Sequence, residues 1–179
     1  MVDAVRSAPW GWRALFVAVV LATLVVRLLP LGRAAGGWPA PDLVLCLTCA
    51  WVLRRPDYVP ALLIAAMVLL EDLLLMRPPG LWTAFVLLGS EFLRDRASFS
   101  RELTFMAEWM MVAVVMLAML AGYRLATALA FLPQQGLGMA LAQVAGSILA
   151  YPVVVGASRL LFGLRKPATG EVDAYGRRL

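Results

Sequence analysis

The run "ALFVAVVLATLVV" (residues 14–26) contains no charged side chain and has no period that would give it a polar face. Stretches of the same kind recur along the 179 residues. A chain that folds in water needs polar residues to cover its core. Here hydrophobic residues make up 63% and charged residues 15%, against roughly 45–50% apolar in soluble domains. Lipid is therefore the expected solvent for most of the surface. With two cysteines and no histidine, no disulfide framework or obvious metal cage is present to hold a small soluble core instead.

Six apolar segments are expected to be helices, at 14–31, 42–53, 59–76, 81–93, 103–131 and 137–162. Together they predict an all-α integral membrane protein with six transmembrane helices, in a single polytopic domain spanning 1–179. The second segment is short for a span, which takes about 20 residues. Its flanks, "GGWPAP" and "RRPDYVP", are rich in proline and aromatic residues. It reads as a tilted or interrupted helix buried among the others, with a re-entrant segment as the alternative. The sequence "RPPG" separates the third and fourth segments with a tight reversal, in which proline stops one helix and glycine permits the turn. The sequence "LPQQG" makes a hairpin of the last two.

The distribution of basic residues tests the segment count, because arginine and lysine accumulate on the cytoplasmic side. With the N-terminus inside, six spans place Arg6, Arg13, Arg54, Arg55, Arg94, Arg96, Arg101, Arg165, Lys166, Arg177 and Arg178 in the cytoplasm and only Arg33 and Arg77 outside. Short cytoplasmic termini and retention of the second helix follow from that asymmetry. The net charge of +5 then orients the protein and favours anionic membrane lipid. Nucleic acid is not an expected partner, because the basic residues are scattered over short loops. A cleaved signal peptide is the alternative for the N-terminus; Arg27 interrupts its apolar stretch, and cleavage would invert the remaining helices.

Four ionisable residues fall within the apolar segments near their outer ends: Arg27, the adjacent Glu71 and Asp72, and Arg124. A charge in lipid costs roughly 2.5–3.5 kcal/mol even on a lenient scale, so such residues face the bundle interior and pair. Neighbouring helical residues point about 100° apart, and Asp72 is taken as the inward one, paired with Arg27 or Arg124. A fold-fixing ion pair is the first reading, and a polar pocket or partner-binding site the second. On the inner side Glu91, Glu108 and Arg159 are expected to snorkel to the headgroups.

Small residues recur every four positions in the fifth segment (Ala118, Gly122, Ala126, Ala130) and in the sixth (Gly138, Ala142, Gly146, Ala150). These ridges predict a closely packed hairpin between the two helices. The first segment has a shorter pair, Ala18 and Ala22, whose partner lies either in this chain or in another protein. No catalytic signature, cofactor motif or metal-ligand set is evident: there is no histidine, phosphate loop or nucleophile elbow. Cys46 and Cys49 in "LCLTC" have redox-like spacing in an apolar setting, where packing is the simpler role. The methionines of "FMAEWMMVAVVMLAML" read as core or lipid-facing filling.

The sequence "RRPDYVP" leading to an apolar helix, followed by "EDLLLMRPPGLW", resembles the family of the rod shape-determining protein MreD. In that family a helix carries an aspartate, with a glycine about eight positions later in a turn. Asp72 and Gly80 have this spacing, with Pro78 and Pro79 completing the turn. Length, six spans, inside termini and the tail "GEVDAYGRRL" also look like MreD, whereas the Glu71–Asp72 doublet and "RPPG" depart from a single aspartate and plainer turn.

The resemblance implies a non-enzymatic scaffold or regulatory subunit of the cell-elongation, peptidoglycan-synthesis complex in the bacterial inner membrane. It would bind MreC, and through the complex RodA, a class B penicillin-binding protein and MreB. MreD is similar in fold to the substrate-binding subunits of energy-coupling-factor transporters, in which a small-xxx-small pair on the first helix matches Ala18 and Ala22. That similarity supplies the alternative function, a small-molecule binding subunit of a vitamin transporter. The brief outer loops, "GRAAGGWPA", "RPPG" and "LPQQG", favour the scaffold.

Overall fold

A computed structural model describes residues 9–29, 39–100 and 103–164. Among them are six helices of 12 residues or more: α1 (Pro9–Leu28), α2 (Leu43–Arg54), α3 (Ala61–Leu74), α4 (Leu81–Asp95), α6 (Phe105–Leu129) and α7 (Leu137–Phe162). A 3₁₀ turn, Pro56–Tyr58, links α2 to α3, and a four-residue helix, α5 (Ala97–Ser100), follows α4. The protein is all-α. The expectations for Arg6, Arg33, Arg101, Arg165, Lys166 and the tail beyond them lie outside the described residues.

Three helices, α1, α6 and α7, are long and apolar enough to cross a membrane. Most of their surface is unburied, with Val25, Val26, Leu125, Leu149, Val153 and Leu160 all exposed. Exposed apolar surface on this scale suits contact with lipid rather than water. The other three main helices are shorter than a span requires. At ~1.5 Å per residue, α2, α3 and α4 extend only about 18–23 Å, against a hydrocarbon core of roughly 30 Å. The third segment, expected over 59–76, begins two residues later at Ala61, because Val59 ends the 3₁₀ connection and Pro60, which has no backbone donor, is the N-cap of α3. It loses its last residues to a turn at Met76, where Arg77 N–H bonds back to Asp72 O at 3.0 Å.

The short second segment is the centre of the molecule. Every residue of α2 from Val44 to Arg54 is buried, as expected of a helix that is apolar all round. Helix α7 packs more extensively on α2 than on any other element, and Ala140, Val144, Ser147, Tyr151 and Val155 form its buried stripe at helical spacing. The glycines of the two small-residue ridges do not meet each other across α6 and α7. Ala118, Ala130 and Gly138 are exposed. Gly122 faces α4, where an added Cβ would lie 2.5 Å from the Phe85 ring, and Gly146 faces Pro41, just before α2. Helices α6 and α7 are instead joined by polar contacts, with Trp109 Nε1 donating to Ile148 O at 2.8 Å and the Tyr151 hydroxyl to Glu108 Oε1 at 2.7 Å. Ala142 and Ala150 are half-buried on α7, as is Ala126 on α6. Ala18 and Ala22 are exposed on α1, away from its buried stripe of Phe16, Val20 and Leu24.

Candidate functional site

The bundle has two ends with different chemistry. At one, the C-terminus of α1, the N-terminus of α2 and the α3–α4 turn bring four charged side chains together. Arg27 Nη1 bonds to Glu71 Oε1 and lies 3.7 Å from Asp42 Oδ1. Arg77 Nη1 stands 4.0 Å from both Asp42 Oδ2 and Glu71 Oε1. Glu71 is 1% exposed, so it is as inward as Asp72; a helix end packed on two sides can bury adjacent residues. Asp42 also caps α2, accepting from Leu45 N–H at 3.0 Å, and its own N–H donates to Ser147 Oγ at 2.8 Å. The cluster thereby ties α1, α2, α3 and α7 to one another.

Asp72 is fully buried and has a different role from the one expected. Its Oδ2 accepts from Gly80 N–H and Thr83 N–H, each at 3.2 Å, and from the Thr83 hydroxyl at 2.9 Å. The carboxylate therefore caps the exposed donors at the start of α4, where the helix dipole also favours a negative charge. The eight-residue spacing to Gly80 has a direct geometric cause. Gly80 adopts φ +84, a left-handed conformation that glycine takes without strain, and this turns its N–H toward the end of α3. Pro78 and Pro79 lead into the same turn.

Arg124 stands apart from the charged cluster. It donates to Gln135 O at 3.0 Å, and the Gln134 amide donates to Arg124 O at 2.9 Å. These bonds tie the α6–α7 turn to α6. A cavity of about 220 Å³ separates Arg124 from the cluster, with Asp42, Arg77, Tyr123, Arg124 and Gln143 among its polar lining and Leu45, Leu120 and Val144 among its apolar lining. Arg77 lies 5.7 Å from the Trp82 ring centre, and Trp82 meets Tyr123 edge to face. Met76, which lines the cavity, and Phe131, just after α6, both have φ +53 and are 93% and 96% exposed. Each occupies the left-handed position that ends a helix, where glycine is usual.

At the opposite end Glu108 does not snorkel. It is fully buried, bonded to Arg54 at 3.0 Å and to the Tyr151 hydroxyl, and Arg54 also donates to Ala50 O at 3.2 Å. Glu91 pairs with Arg94 at 3.0 Å, while Arg94 also donates to Pro56 O and Val59 O, each at 2.7 Å. Arg159 is exposed. Of the three charges expected to snorkel here, Glu108 is enclosed, Glu91 pairs within its own helix and Arg159 is exposed. Cys46 and Cys49 are buried and unlinked, and the Cys46 thiol donates to Ser147 O at 3.2 Å. Among the described residues, no group of three His, Cys, Asp or Glu side chains is placed to hold a metal.

Sequence reasoning missed Asp42, Arg77 and Thr83 at the first end, and Arg54 and Tyr151 at the second. Asp42 carried a readable signal, an aspartate immediately before an apolar helical run. Arg54 and Arg77 were legible only as loop charges, and nothing in the spacing of Tyr151 announces its partner. Comparison of the chain with known protein families, curated proteins and solved structures finds no match.

Proposed function

We propose that this chain is a non-enzymatic, multi-pass subunit of the bacterial inner membrane that acts as a scaffold in the cell-elongation machinery, with both termini in the cytoplasm. The reading rests on the resemblance to MreD, and the cavity between α6, α7 and the α3–α4 turn is the observation that supports it best. Its polar groups converge on a space open at one end of the bundle. Its lining includes Met76, an exposed apolar side chain on a backbone conformation that costs energy for a non-glycine residue. A polar cleft with an exposed apolar side chain at its edge is suited to receiving a chain segment from a partner. MreC, the partner implied by the resemblance, has a single span and a periplasmic domain, so the residues that join them would meet the outward end of the bundle.

The same cavity also favours a second reading, the small-molecule binding subunit. Arg77, Tyr123, Arg124 and Gln143 with an apolar floor are chemistry that a small polar ligand would use. Co-purification in mild detergent followed by mass spectrometry separates the two. Recovery of MreC with RodA and a penicillin-binding protein supports the scaffold. Recovery of a transporter energising module and a bound vitamin overturns it.

A further inference from the structure

The cleft between α4 and α6 has a different character from the cavity described above. Its volume is about 520 Å³, and its walls are almost wholly apolar: Phe85, Leu88 and Phe92 from α4 face Met110, Val114 and Ala118 from α6. The two helices are closest where Gly122 meets Phe85 and Gly89 meets Met119; an added Cβ on Gly89 would lie 1.7 Å from Met119 Cε. From this contact toward the α4 C-terminus the cleft runs past Phe92 and Met110, and its far end is marked by Arg96. From residue 85 to 96 the α4 wall is about 16 Å long at ~1.5 Å per residue.

Arg96 is the one charged residue lining this cleft. Its guanidinium carbon lies 3.7 Å from the Phe92 ring centre, which places the planar group over the cleft wall. Among the described residues no carboxylate pairs with it, in contrast to Arg54 and Arg94 at the same end of the bundle. An apolar channel leading to a guanidinium that has no carboxylate partner among the described residues is complementary to an amphiphile with one hydrocarbon chain and an anionic head. Guanidinium groups bind phosphate through paired hydrogen bonds, and basic sites beside membrane helices select anionic lipid. The methionine side chains of α6 can adjust to a flexible chain. A partner's transmembrane helix fits less well, because the cleft is about half the thickness of the hydrocarbon core and has a charge at its end.

We infer that the α4–α6 cleft is a binding site for an anionic phospholipid, with the phosphate on Arg96 and an acyl chain running toward Gly89 and Met119. This site is separate from the cavity used in the functional proposal and does not depend on that reading.

The test is native mass spectrometry of the delipidated full-length protein titrated with phosphatidylglycerol or phosphatidylcholine of the same chain length. Wild type should retain phosphatidylglycerol preferentially. Arg96→Gln should reduce that preference by about tenfold or more, the loss of a charged hydrogen bond, while retaining chain binding. Ala118→Phe, at an exposed position, should fill the cleft and reduce retention of both lipids. Unfolding in detergent, followed in parallel, should be unchanged for Arg96→Gln, so the headgroup result stands even if Ala118→Phe folds poorly. Equal retention of the two lipids by wild type, or an undiminished preference in Arg96→Gln, would overturn the assignment. So would a photo-crosslinker at Val114 that captures a protein helix in native membranes and no lipid.

Discussion

The charged end of the bundle makes a prediction about two adjacent carboxylates that the sequence alone would order the other way. On sequence grounds, Glu71 can reach the headgroups and Asp72 holds an arginine, so Glu71→Gln should be the milder change. In the structure Glu71 is buried against Arg27 with Asp42 and Arg77 close by. Removing its charge takes from the largely enclosed Arg27 guanidinium its nearest carboxylate, with Asp42 Oδ1 at 3.7 Å the next in the cluster. Breaking a buried pair from one side costs about 3–5 kcal/mol. Asp72→Asn keeps an oxygen for Gly80 and Thr83 and places its amide where Oδ1 has no partner. Only the charged share of those bonds is lost, about 1–2 kcal/mol. For a chain of this length 1 kcal/mol corresponds to about 2–4 °C, so unfolding in mild detergent should fall by about 6–20 °C for Glu71→Gln and by about 2–8 °C for Asp72→Asn. Adding Arg27→Gln to Glu71→Gln should restore much of the loss. Adding Arg124→Gln to Asp72→Ala should restore none, since independent sites add to within about 0.5 kcal/mol. The reversed order of the single variants, or rescue of Asp72→Ala by loss of Arg124, would refute this account.

Other consequences are tested by simpler measurements. Tyr151→Phe removes the hydroxyl donor of Glu108 and should cost about 1.5–3 kcal/mol of stability in the same assay, with no such cost for an exposed change such as Leu149→Ala. Gly122→Ala should lower the unfolding temperature because the new methyl meets the Phe85 ring, whereas Gly146→Ala should be tolerated, since its nearest neighbour, Pro41 Cβ, is 3.8 Å away. In a cysteine-free background, single cysteines at Gly36 and Gln135 should react with membrane-impermeant thiol reagents in intact spheroplasts, and those at Ser7, Asp57, Ser98 and Thr169 should not; labelling at Asp57 or Ser98 would break the six-span topology proposed with the scaffold function.

The helices were legible because apolar runs and their proline and glycine stops are local properties. The segments 81–93 and 137–162 start where α4 and α7 start, at "RPPG" and "LPQQG". Pairing across the bundle was not legible, because it depends on how the helices rotate. Glu71 and Asp72 are neighbours in sequence, yet one turns to the α1 side and the other to the α4 side. The small-residue ridges misled for the same reason. Periodicity identifies a face of a helix but not what the face meets, and on α6 Gly122 of that face meets Phe85 of α4 while Ala118 and Ala130 are exposed. Glu108 was misread because depth was judged from its position near a helix start, although Tyr151 and Arg54 enclose it there.

The position of the cavity follows from helix length. Ser147 of α7 meets Asp42 at the beginning of α2, and α7 begins ten residues earlier at Leu137. It therefore projects about 15 Å beyond the start of α2, at ~1.5 Å per residue. Helix α6 accompanies it and presents Tyr123, Arg124 and Thr127 to the same space. A central helix of full span would fill that space with side chains. With only 12 residues, α2 stops short and leaves Asp42 and Leu45 as a floor, while the α3–α4 turn closes one wall with Arg77 and Trp82. The charges at this end thus have two tasks. Asp42, Glu71 and Arg27 hold the shortened helix against its longer neighbours, and Arg77 borders both the cluster and the cavity.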